Sequence, residues 1–175
     1  FLPSNSNLMV GNSSPIRDLD KFTSNSSMNI NILSNRGASG IDGLISTSIG
    51  MSINNQNNNF LIIGDVSFFH DVSSLINQNN INSNLIIFIL NNGGGHIFDR
   101  LEGIIKEKEY KNYWLTPVDL DIKSLATSFR CKYSKVDFSS IKNIKSIIQD
   151  SSNYDGIKLV EIEIDSKKNS VINQI

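Results

Sequence analysis

The segment Phe60-Leu61-Ile62-Ile63-Gly64-Asp65-Val66-Ser67 is an unbroken apolar run that ends in polar turn residues. A second run of this kind, Asn84-Leu85-Ile86-Ile87-Phe88-Ile89-Leu90, ends in Asn91-Asn92-Gly93-Gly94-Gly95. Strands without alternating polarity are typical of parallel sheets, because helices cover both of their faces. We therefore predict that these two segments are inner strands of a parallel sheet.

Weaker strand and helix patterns alternate along the rest of the chain. Strands are predicted at residues 7–10, 29–33, 132–136 and 158–164, and helices at residues 14–22, 42–53, 67–77, 120–129 and 139–149. Ser67 is predicted to be the N-cap of the third helix. The alternation predicts an α/β fold, with a mostly parallel sheet and helices on both faces. No proline- or glycine-rich linker interrupts it, which predicts a single domain over residues 1–175.

Composition excludes several classes of function. A net charge of −1 provides no basic field for nucleic acid. No apolar run approaches the roughly 20 residues that span a bilayer. No targeting segment is visible, which predicts a soluble protein of the cytoplasm or the plastid stroma. Because the chain begins with Phe1 rather than Met, we expect it to be a piece of a longer protein.

Two compositional features concern structure rather than function. Cys131 is the single cysteine, so an intrachain disulfide is excluded, and we expect its thiol to be buried. Asparagine tracts at residues 54–59 and 77–80 fall between the periodic segments. They are predicted to be polar loops rather than aggregation-prone tracts.

Polar residues follow both apolar strands at the sheet edge where ligands bind in parallel α/β folds. Asp65 offers a carboxylate, Asn92 offers an amide oxygen, and glycines 93–95 allow a backbone carbonyl to turn inward. Mg²⁺ is bound by oxygen ligands of these kinds together with phosphate oxygens and water. The N–H groups of a helix that begins near Ser67 would face the same anion. The pattern predicts a magnesium ion that holds a diphosphate.

Each half of this pattern also has a plain structural interpretation. Gly-Asp after a strand and Asn-Asn-Gly-Gly are both common turn sequences. Their combination, with each motif closing an apolar strand, favours a binding site over two unrelated turns. A dinucleotide-binding domain is disfavoured, because glycines 93–95 do not fit the G-x-G-x-x-G spacing.

The pattern resembles the diphosphate-binding signature of thiamine-diphosphate enzymes. Three segments narrow the resemblance: Gly11-Asn12-Ser13 with Arg17, then Ser34-Asn35-Arg36-Gly37-Ala38-Ser39-Gly40-Ile41-Asp42-Gly43, and finally residues 64–71 with residues 91–98. They resemble the 2-succinyl-5-enolpyruvyl-6-hydroxy-3-cyclohexene-1-carboxylate synthases of menaquinone and phylloquinone biosynthesis. The resemblance runs from about Leu8 to Ile164. It corresponds to the C-terminal third of such an enzyme, its diphosphate-binding domain.

The resemblance implies thiamine diphosphate as cofactor and Mg²⁺ as metal, with Mn²⁺ as an alternative ion. The metal ligands that it implies are Asp65, Asn92 and the backbone carbonyl of Gly94. Cofactor contacts are also implied for Ser39, Gly40, Ile41, Val66, Ser67, Ile97 and Phe98. Among these, Ile41 would support the V-shaped cofactor, while Val66 and Ser67 would hold its diphosphate.

The substrates implied by the resemblance are two dicarboxylates, 2-oxoglutarate and isochorismate. Arg17 and Arg36 match arginines that receive substrate carboxylates, which a guanidinium binds bidentately, and Ser13 is a further substrate contact. 2-Oxoglutarate would be decarboxylated, and the resulting succinyl carbanion equivalent would add to isochorismate, with the cofactor as electron sink. His70 is expected to be structural or solvent-facing, and His96 is given no catalytic role.

The chain departs from the family in what it lacks. Gly93 stands where relatives usually have a third Asn. The glutamate that activates the cofactor lies in the N-terminal, pyrimidine-binding domain of a partner chain, and neither that domain nor the central domain has a counterpart here. The resemblance therefore implies a homo-oligomer at full length, no catalytic residue in this chain and an inactive isolated chain. Two alternatives stay open: a non-catalytic remnant that binds only thiamine diphosphate and the metal, and an acetolactate-synthase-like carboligase.

Overall fold

The computed structural model describes residues 2–23, 28–100, 107–151 and 155–165. Its strands are β1 (Ser6–Val10), β2 (Ile30–Leu33), β3 (Asn58–Gly64), β4 (Asn84–Asn91), β5 (Lys132–Val136) and β6 (Gly156–Glu163). They form one sheet in the order β2-β1-β3-β4-β6-β5, in which all neighbours are parallel. The predicted α/β fold is confirmed, and the extent of the domain stays a prediction.

Helices in the described ranges connect the strands. They are α1 (Ser14–Phe22), α2 (Leu44–Ser52), α3 (Asp65–Asp71), α4 (Glu107–Tyr110), α5 (Ile122–Ser128) and α6 (Ile144–Ser151). Segments Val72–Asn80, His96–Arg100 and Phe138–Asn143 are 3₁₀ helices, and Lys111–Leu115 is a π-helical turn. No helix within these ranges combines the length and the apolar character that crossing a membrane requires.

The sheet is covered on both faces. On one face, α2, α3 and α5 pack over strand residues such as Leu61 and Ile87. On the other face, α1 and α6 pack over Phe60 and Phe88. The two inner strands β3 and β4 therefore bury successive side chains in opposite directions, which explains their unbroken apolar sequences. Cys131 is buried, as predicted.

The side of the sheet to which successive strands are added changes after β2. From β1 the chain adds β2 on one side, and it then crosses over to add β3 and β4 on the other side. The helices that follow β1 and β3 pack on opposite faces of the sheet. A crevice opens between two such connections, beyond the carboxyl ends of the strands, and it is the usual ligand position in this class of fold.

Helix α1 has the predicted bounds, whereas the predicted cap of α3 is wrong. Helix α3 begins earlier than predicted, at Asp65, and it changes to 3₁₀ geometry after Asp71. Ser67 therefore lies inside the first turn and is not the N-cap. The side chain of Asp65 accepts the Val66 N–H at 2.9 Å, so the metal motif itself forms the start of the helix.

Helix α2 begins at Leu44 because a distant side chain caps it. The N–H groups of Ile45 and Ser46 donate to Oδ2 of Asp71 at 2.7 and 3.0 Å. The position before the helix, Gly43, has the left-handed φ of 70°. A buried carboxylate at the end of α3 thus fixes the start of α2, and with it the loop that precedes α2.

An asparagine ladder crosses the opposite edge of the sheet, where the strands begin. Asn31 donates to Asn7 at 3.2 Å, Asn7 donates to Asn59 at 2.8 Å, and Asn59 donates to Asn84 at 2.5 Å. The prediction that residues 54–59 form a polar loop is wrong for 58 and 59, which begin β3. Residues 77–80 are likewise not a loop but the end of a 3₁₀ segment. The amides satisfy one another across strands, so polar residues occupy buried strand positions at little cost.

We expect Asn59→Ala to lower the free energy of unfolding by about 1–3 kcal/mol, because it removes the Asn59 partner of the buried Asn7 amide and of the partly buried Asn84 amide. The control is Asn29→Ala, which removes an exposed rung to Asn5 and should cost no more than about 0.5 kcal/mol. Urea unfolding with unchanged m-values measures both. Equal losses for the two variants would contradict a role for the buried ladder.

Candidate functional site

A cleft of about 330 Å³ lies beyond the carboxyl ends of β1, β3 and β4. Its floor is made by the residues that follow these strands, and one wall is made by residues 96–98 and 113–116. Several predicted site residues line it: Ser13, Ile41, Asp65, Val66, Ser67, Asn92, Gly94, Ile97 and Phe98. Side chains scattered over much of the sequence thus meet at one place.

Asp65 joins the two loops at the floor of the cleft. Gly64, the last residue of β3, pairs with Leu90 of β4, so Asp65 and Asn92 leave neighbouring strands close to the same level. Oδ2 of Asp65 accepts the Gly94 N–H at 2.8 Å, and the carboxylate is only 5% exposed. The loop after β4 is therefore tied directly to the carboxylate after β3.

The surroundings of Asp65 favour its neutral form in the absence of a cation. Burial raises the pKa of its carboxyl above the usual value of 3.8, and the N–H groups of Val66, Gly94 and Gly93, together with His96, offset only part of this effect. A divalent cation next to the carboxylate would supply the missing charge compensation. The buried carboxylate therefore fits the chemistry of a metal ligand.

Two further polar groups at the cleft have unused hydrogen-bonding capacity. Among the described residues, neither the Asn92 amide nor the buried Ser67 hydroxyl has a hydrogen-bond partner, although both line the cleft. The Gly94 carbonyl accepts the His96 N–H at 2.9 Å, which leaves its second lone pair available. No group of three or more His, Cys, Asp or Glu side chains capable of holding a metal occurs in the described ranges. A metal here would be held by one carboxylate and neutral oxygens, the donor set that suits an ion whose shell is completed by phosphate.

Gly94 cannot be replaced without moving the wall of the cleft. Its φ is +136°, and an added Cβ would lie 2.5 Å from the backbone oxygen of Leu115. The neighbouring Gly95 N–H donates to that same oxygen at 2.7 Å. Gly94 and Gly95 are therefore required for close backbone approach, whereas nothing lies within 4 Å of a Cβ added at Gly93.

The loop before α2 is organised by Asn12, a residue to which the sequence assigned no role. Asn12 is buried at the end of β1 and lines the cleft, and its Nδ2 donates to the carbonyls of Asn35 and Gly40 at 3.1 and 2.6 Å. Its Oδ1 accepts from Nη1 of Arg36 at 3.3 Å. Asn12 belongs to the Gly11-Asn12-Ser13 segment of the resemblance, which follows β1, and that segment is the signal through which sequence could have suggested it.

Four predicted site residues do not line the cleft. Ser39 and Gly40 are exposed in the loop that Asn12 holds, and the Ser39 hydroxyl donates to the carbonyl of Arg36. Arg36 does not line the cleft, but it contacts Asn12, which does. Arg17 is exposed on α1 and donates to the carbonyl of Ser13 at 2.6 Å. The structure thus brings together the predicted metal and diphosphate residues, and it leaves both arginines at the periphery.

The two histidines have different surroundings. His70 is exposed on α3, as expected for a structural or solvent-facing residue. His96 lines the cleft, and its Nδ1 lies 2.8 Å from Oδ2 of Asp99, whose other oxygen accepts from Tyr110. The 3₁₀ segment that carries Ile97 and Phe98 is thereby anchored at one end.

Comparison with known proteins identifies the family of this chain. Residues 21–162 match the family profile described as "Thiamine pyrophosphate enzyme, C-terminal TPP binding domain". The chain belongs to this family. The match covers most of the chain, from the end of α1 to β6, and so includes both strand ends that carry Asp65 and Asn92.

Curated relatives carry the name 2-succinyl-5-enolpyruvyl-6-hydroxy-3-cyclohexene-1-carboxylate synthase, as the sequence resemblance predicted. The protein of Oceanobacillus iheyensis is 35% identical over 96% of this chain and 28% of its own length. That of Listeria innocua is 35% identical over 99% of this chain and 30% of its own length. The chain therefore spans less than a third of the curated relatives it matches.

Solved structures share the fold at low sequence identity. A putative thiamin diphosphate-dependent enzyme of Mycobacterium smegmatis superposes with a TM-score of 0.69 at 18% identity, over 93% of this chain and 29% of its own. Benzoylformate decarboxylase of Polynucleobacter necessarius gives 0.70 at 15% identity, over 94% and 31%. These likenesses support the thiamine-diphosphate-binding fold of the family.

The raised pKa of Asp65 predicts a pH-dependent stability in the metal-free chain. Folding raises this pKa, so the folded chain holds the proton more tightly, and stability is lost as pH rises from 3.8 through the folded-state value. We expect Asp65→Asn, which cannot ionise, to gain stability relative to the wild type as the pH rises above about 4. Urea unfolding in the presence of a chelator measures the difference, and pH profiles that stay parallel would contradict the prediction.

Proposed function

We propose that this chain binds the diphosphate of thiamine diphosphate through Mg²⁺, with Mn²⁺ as an alternative ion. Asp65, Asn92 and the backbone carbonyl of Gly94 are the proposed ligands. The observation that carries the proposal is the hydrogen bond from Gly94 N to the buried Asp65 carboxylate, which ties the loop of Asn92 and Gly94 to Asp65. The Asn92 amide, which has no hydrogen-bond partner among the described residues, and the second lone pair of the Gly94 carbonyl support it.

The remaining cofactor contacts follow from the same cleft. The buried hydroxyl of Ser67 has no partner among the described residues and is suited to donate to a phosphate oxygen. Ile41, Val66, Ile97 and Phe98 line the cleft and would pack against the organic part of the cofactor. Ser39 and Gly40 would contact it from the loop that Asn12 holds.

We further propose that the chain is the C-terminal part of a synthase with the activity named for its relatives. 2-Oxoglutarate would lose carbon dioxide, and its four-carbon remainder would add to isochorismate, in a route to menaquinone or phylloquinone. When bound, thiamine diphosphate supplies the electron sink for the decarboxylation. This chain binds and orients: Arg36 and Arg17 would receive substrate carboxylates, and Ser13 would contact substrate at the cleft.

The site needs a partner for catalysis. The described residues provide metal and diphosphate contacts, and the activating glutamate is proposed to come from the pyrimidine-binding domain of another chain. We therefore propose a homo-oligomer at full length and an inactive isolated chain. Its compartment, cytoplasm or plastid stroma, stays a prediction.

We expect Asp65→Ala to weaken Mg²⁺-dependent binding of thiamine diphosphate by more than about 100-fold, because the variant removes the only charged ligand. The protein is this chain joined to the N-terminal and central parts of the Listeria innocua relative, and calorimetry with and without Mg²⁺ gives the affinity. Asp20→Ala is the matched control, since Asp20 is exposed on α1 outside the cleft. An unchanged affinity for Asp65→Ala would remove the metal assignment.

Arg36→Ala should leave cofactor affinity within about 3-fold while lowering kcat/KM for 2-oxoglutarate or isochorismate by about 10–100-fold, the range for a charged hydrogen bond. Arg36→Lys keeps the charge but not the bidentate geometry, so it should recover only part of the loss. Steady-state kinetics of the joined protein measures both variants. Normal kinetics for Arg36→Ala would contradict the proposed role.

A further inference from the structure

A buried carboxylate without a role in the proposed chemistry lies next to the loop of residues 91–95, which carries the proposed metal ligands Asn92 and Gly94. Glu161 lies on β6, pairs with Lys135 of β5 and Ile89 of β4, and its side chain is 8% exposed. Its Oε2 accepts the Tyr133 hydroxyl at 2.5 Å, and its Oε1 accepts Nδ2 of Asn91 at 2.8 Å. Burial and the contact with Glu161 raise the pKa of Tyr133, so its hydroxyl keeps its proton and donates.

An ordinary ion pair does not explain this burial. Lys135 lies 4.0 Å from Glu161 but 3.1 Å from the exposed Glu163, which is its closer partner. The charge of Glu161 is compensated mainly by two neutral hydrogen-bond donors. Burying a charge in this way is costly unless its hydrogen bonds are complete. One of the two hydrogen bonds comes from Tyr133 on β5, and the other comes from Asn91 at the end of β4.

The contact with Glu161 fixes which way the Asn91 amide faces. A carboxylate only accepts hydrogen bonds, so Nδ2 of Asn91 must point to Glu161 and Oδ1 must point away. In that orientation Oδ1 accepts the Gly93 N–H at 3.2 Å. If the amide flipped, its NH₂ group would face the Gly93 N–H and the turn would open.

The turn in question carries the proposed metal ligands. Asn92 lies between Asn91 and Gly93, and the next residue, Gly94, donates to Asp65 at 2.8 Å. A continuous path thus runs from Glu161 through the Asn91 amide and the glycine turn to Asp65. Each step is a hydrogen bond or one peptide unit.

We propose that Glu161, supported by Tyr133, is a positioning residue that locks the Asn91 amide and thereby sets the geometry of Asn92 and Gly94 for a divalent cation. The proposal rests on the function proposed above. It concerns a residue far along the chain from the metal motif, and its effect is exerted through Asn91 without contact with metal or cofactor.

Exchanging the amide and the carboxylate between positions 91 and 161 tests the proposal. Asn91→Asp alone sets two carboxylates against each other and should weaken Mn²⁺ binding, in the presence of thiamine diphosphate, by about 10–100-fold. Asn91→Asp combined with Glu161→Gln keeps the net charge of the wild type. In this double variant an amide N–H at position 161 again faces a carboxylate oxygen at position 91. It should return within about 3-fold of wild-type affinity. Mn²⁺ binding to the joined protein is measured by electron paramagnetic resonance, and urea unfolding is measured alongside.

The controls distinguish a positioning role of Glu161 from a purely electrostatic role and from an effect on folding. A purely electrostatic role predicts tighter Mn²⁺ binding in Asn91→Asp, which adds a negative charge, and that result overturns the proposal. A double variant that stays as weak as the single one also overturns it. Glu163→Gln removes an exposed charge from the same strand and should change Mn²⁺ affinity by less than about 2-fold.

Two further outcomes are decided by the same measurements. If Asn91→Asp fails to fold, Tyr133→Phe provides the test, since it removes one hydrogen bond to Glu161 and should weaken Mn²⁺ binding by about 2–10-fold. Wild-type affinity in Tyr133→Phe would then overturn the proposal. If the wild-type joined protein itself binds neither Mn²⁺ nor thiamine diphosphate, the proposed function fails, and this inference fails with it.

Discussion

The site depends on one buried carboxylate held between the ends of two parallel strands. The register of β3 and β4 places Gly64 opposite Leu90, so the chain leaves both strands at the same level. Asp65 then accepts N–H groups from its own loop and from the loop after β4. These hydrogen bonds do not fully offset the cost of burying the charge, as the raised pKa of Asp65 shows. The proposed divalent cation would compensate the part of this charge that the hydrogen bonds leave.

Much of this arrangement can be predicted from sequence because it is local. Unbroken apolar runs identify β3 and β4, and in a parallel sheet their polar ends must share one edge. The strand order then makes this edge the crevice of the fold, since the direction of winding reverses at β1. Helix α1 has the bounds that the sequence predicts, and Pro15 stands in its first turn.

Several parts that the sequence does not predict depend on contacts between distant residues. Asn12 holds the loop before α2 through carbonyls of Asn35 and Gly40, and Asp71 caps α2 from the end of α3. Neither contact leaves a periodic or compositional signal. The sequence predicts a loop at Asn58 and Asn59, which lie in β3, for a related reason. Asparagine is unfavourable in an isolated strand, and only the neighbouring amides of the ladder make Asn59 acceptable there.

The loop of residues 91–95, which carries the proposed metal ligands Asn92 and Gly94, is connected by hydrogen bonds to the apolar wall of the cleft. Gly94 donates to Asp65 and approaches the Leu115 carbonyl so closely that no side chain fits between them. Gly95 donates to the same carbonyl, and the next turn carries Phe98, whose ring packs edge-on against Trp114 at 5.1 Å. A cation that tightens the hold on Gly94 would therefore also constrain residues 96–98 and 113–116, the surface against which an organic ligand would lie. Asp65 and the aromatic wall are far apart in sequence, and the hydrogen bonds that Gly94 and Gly95 donate connect them.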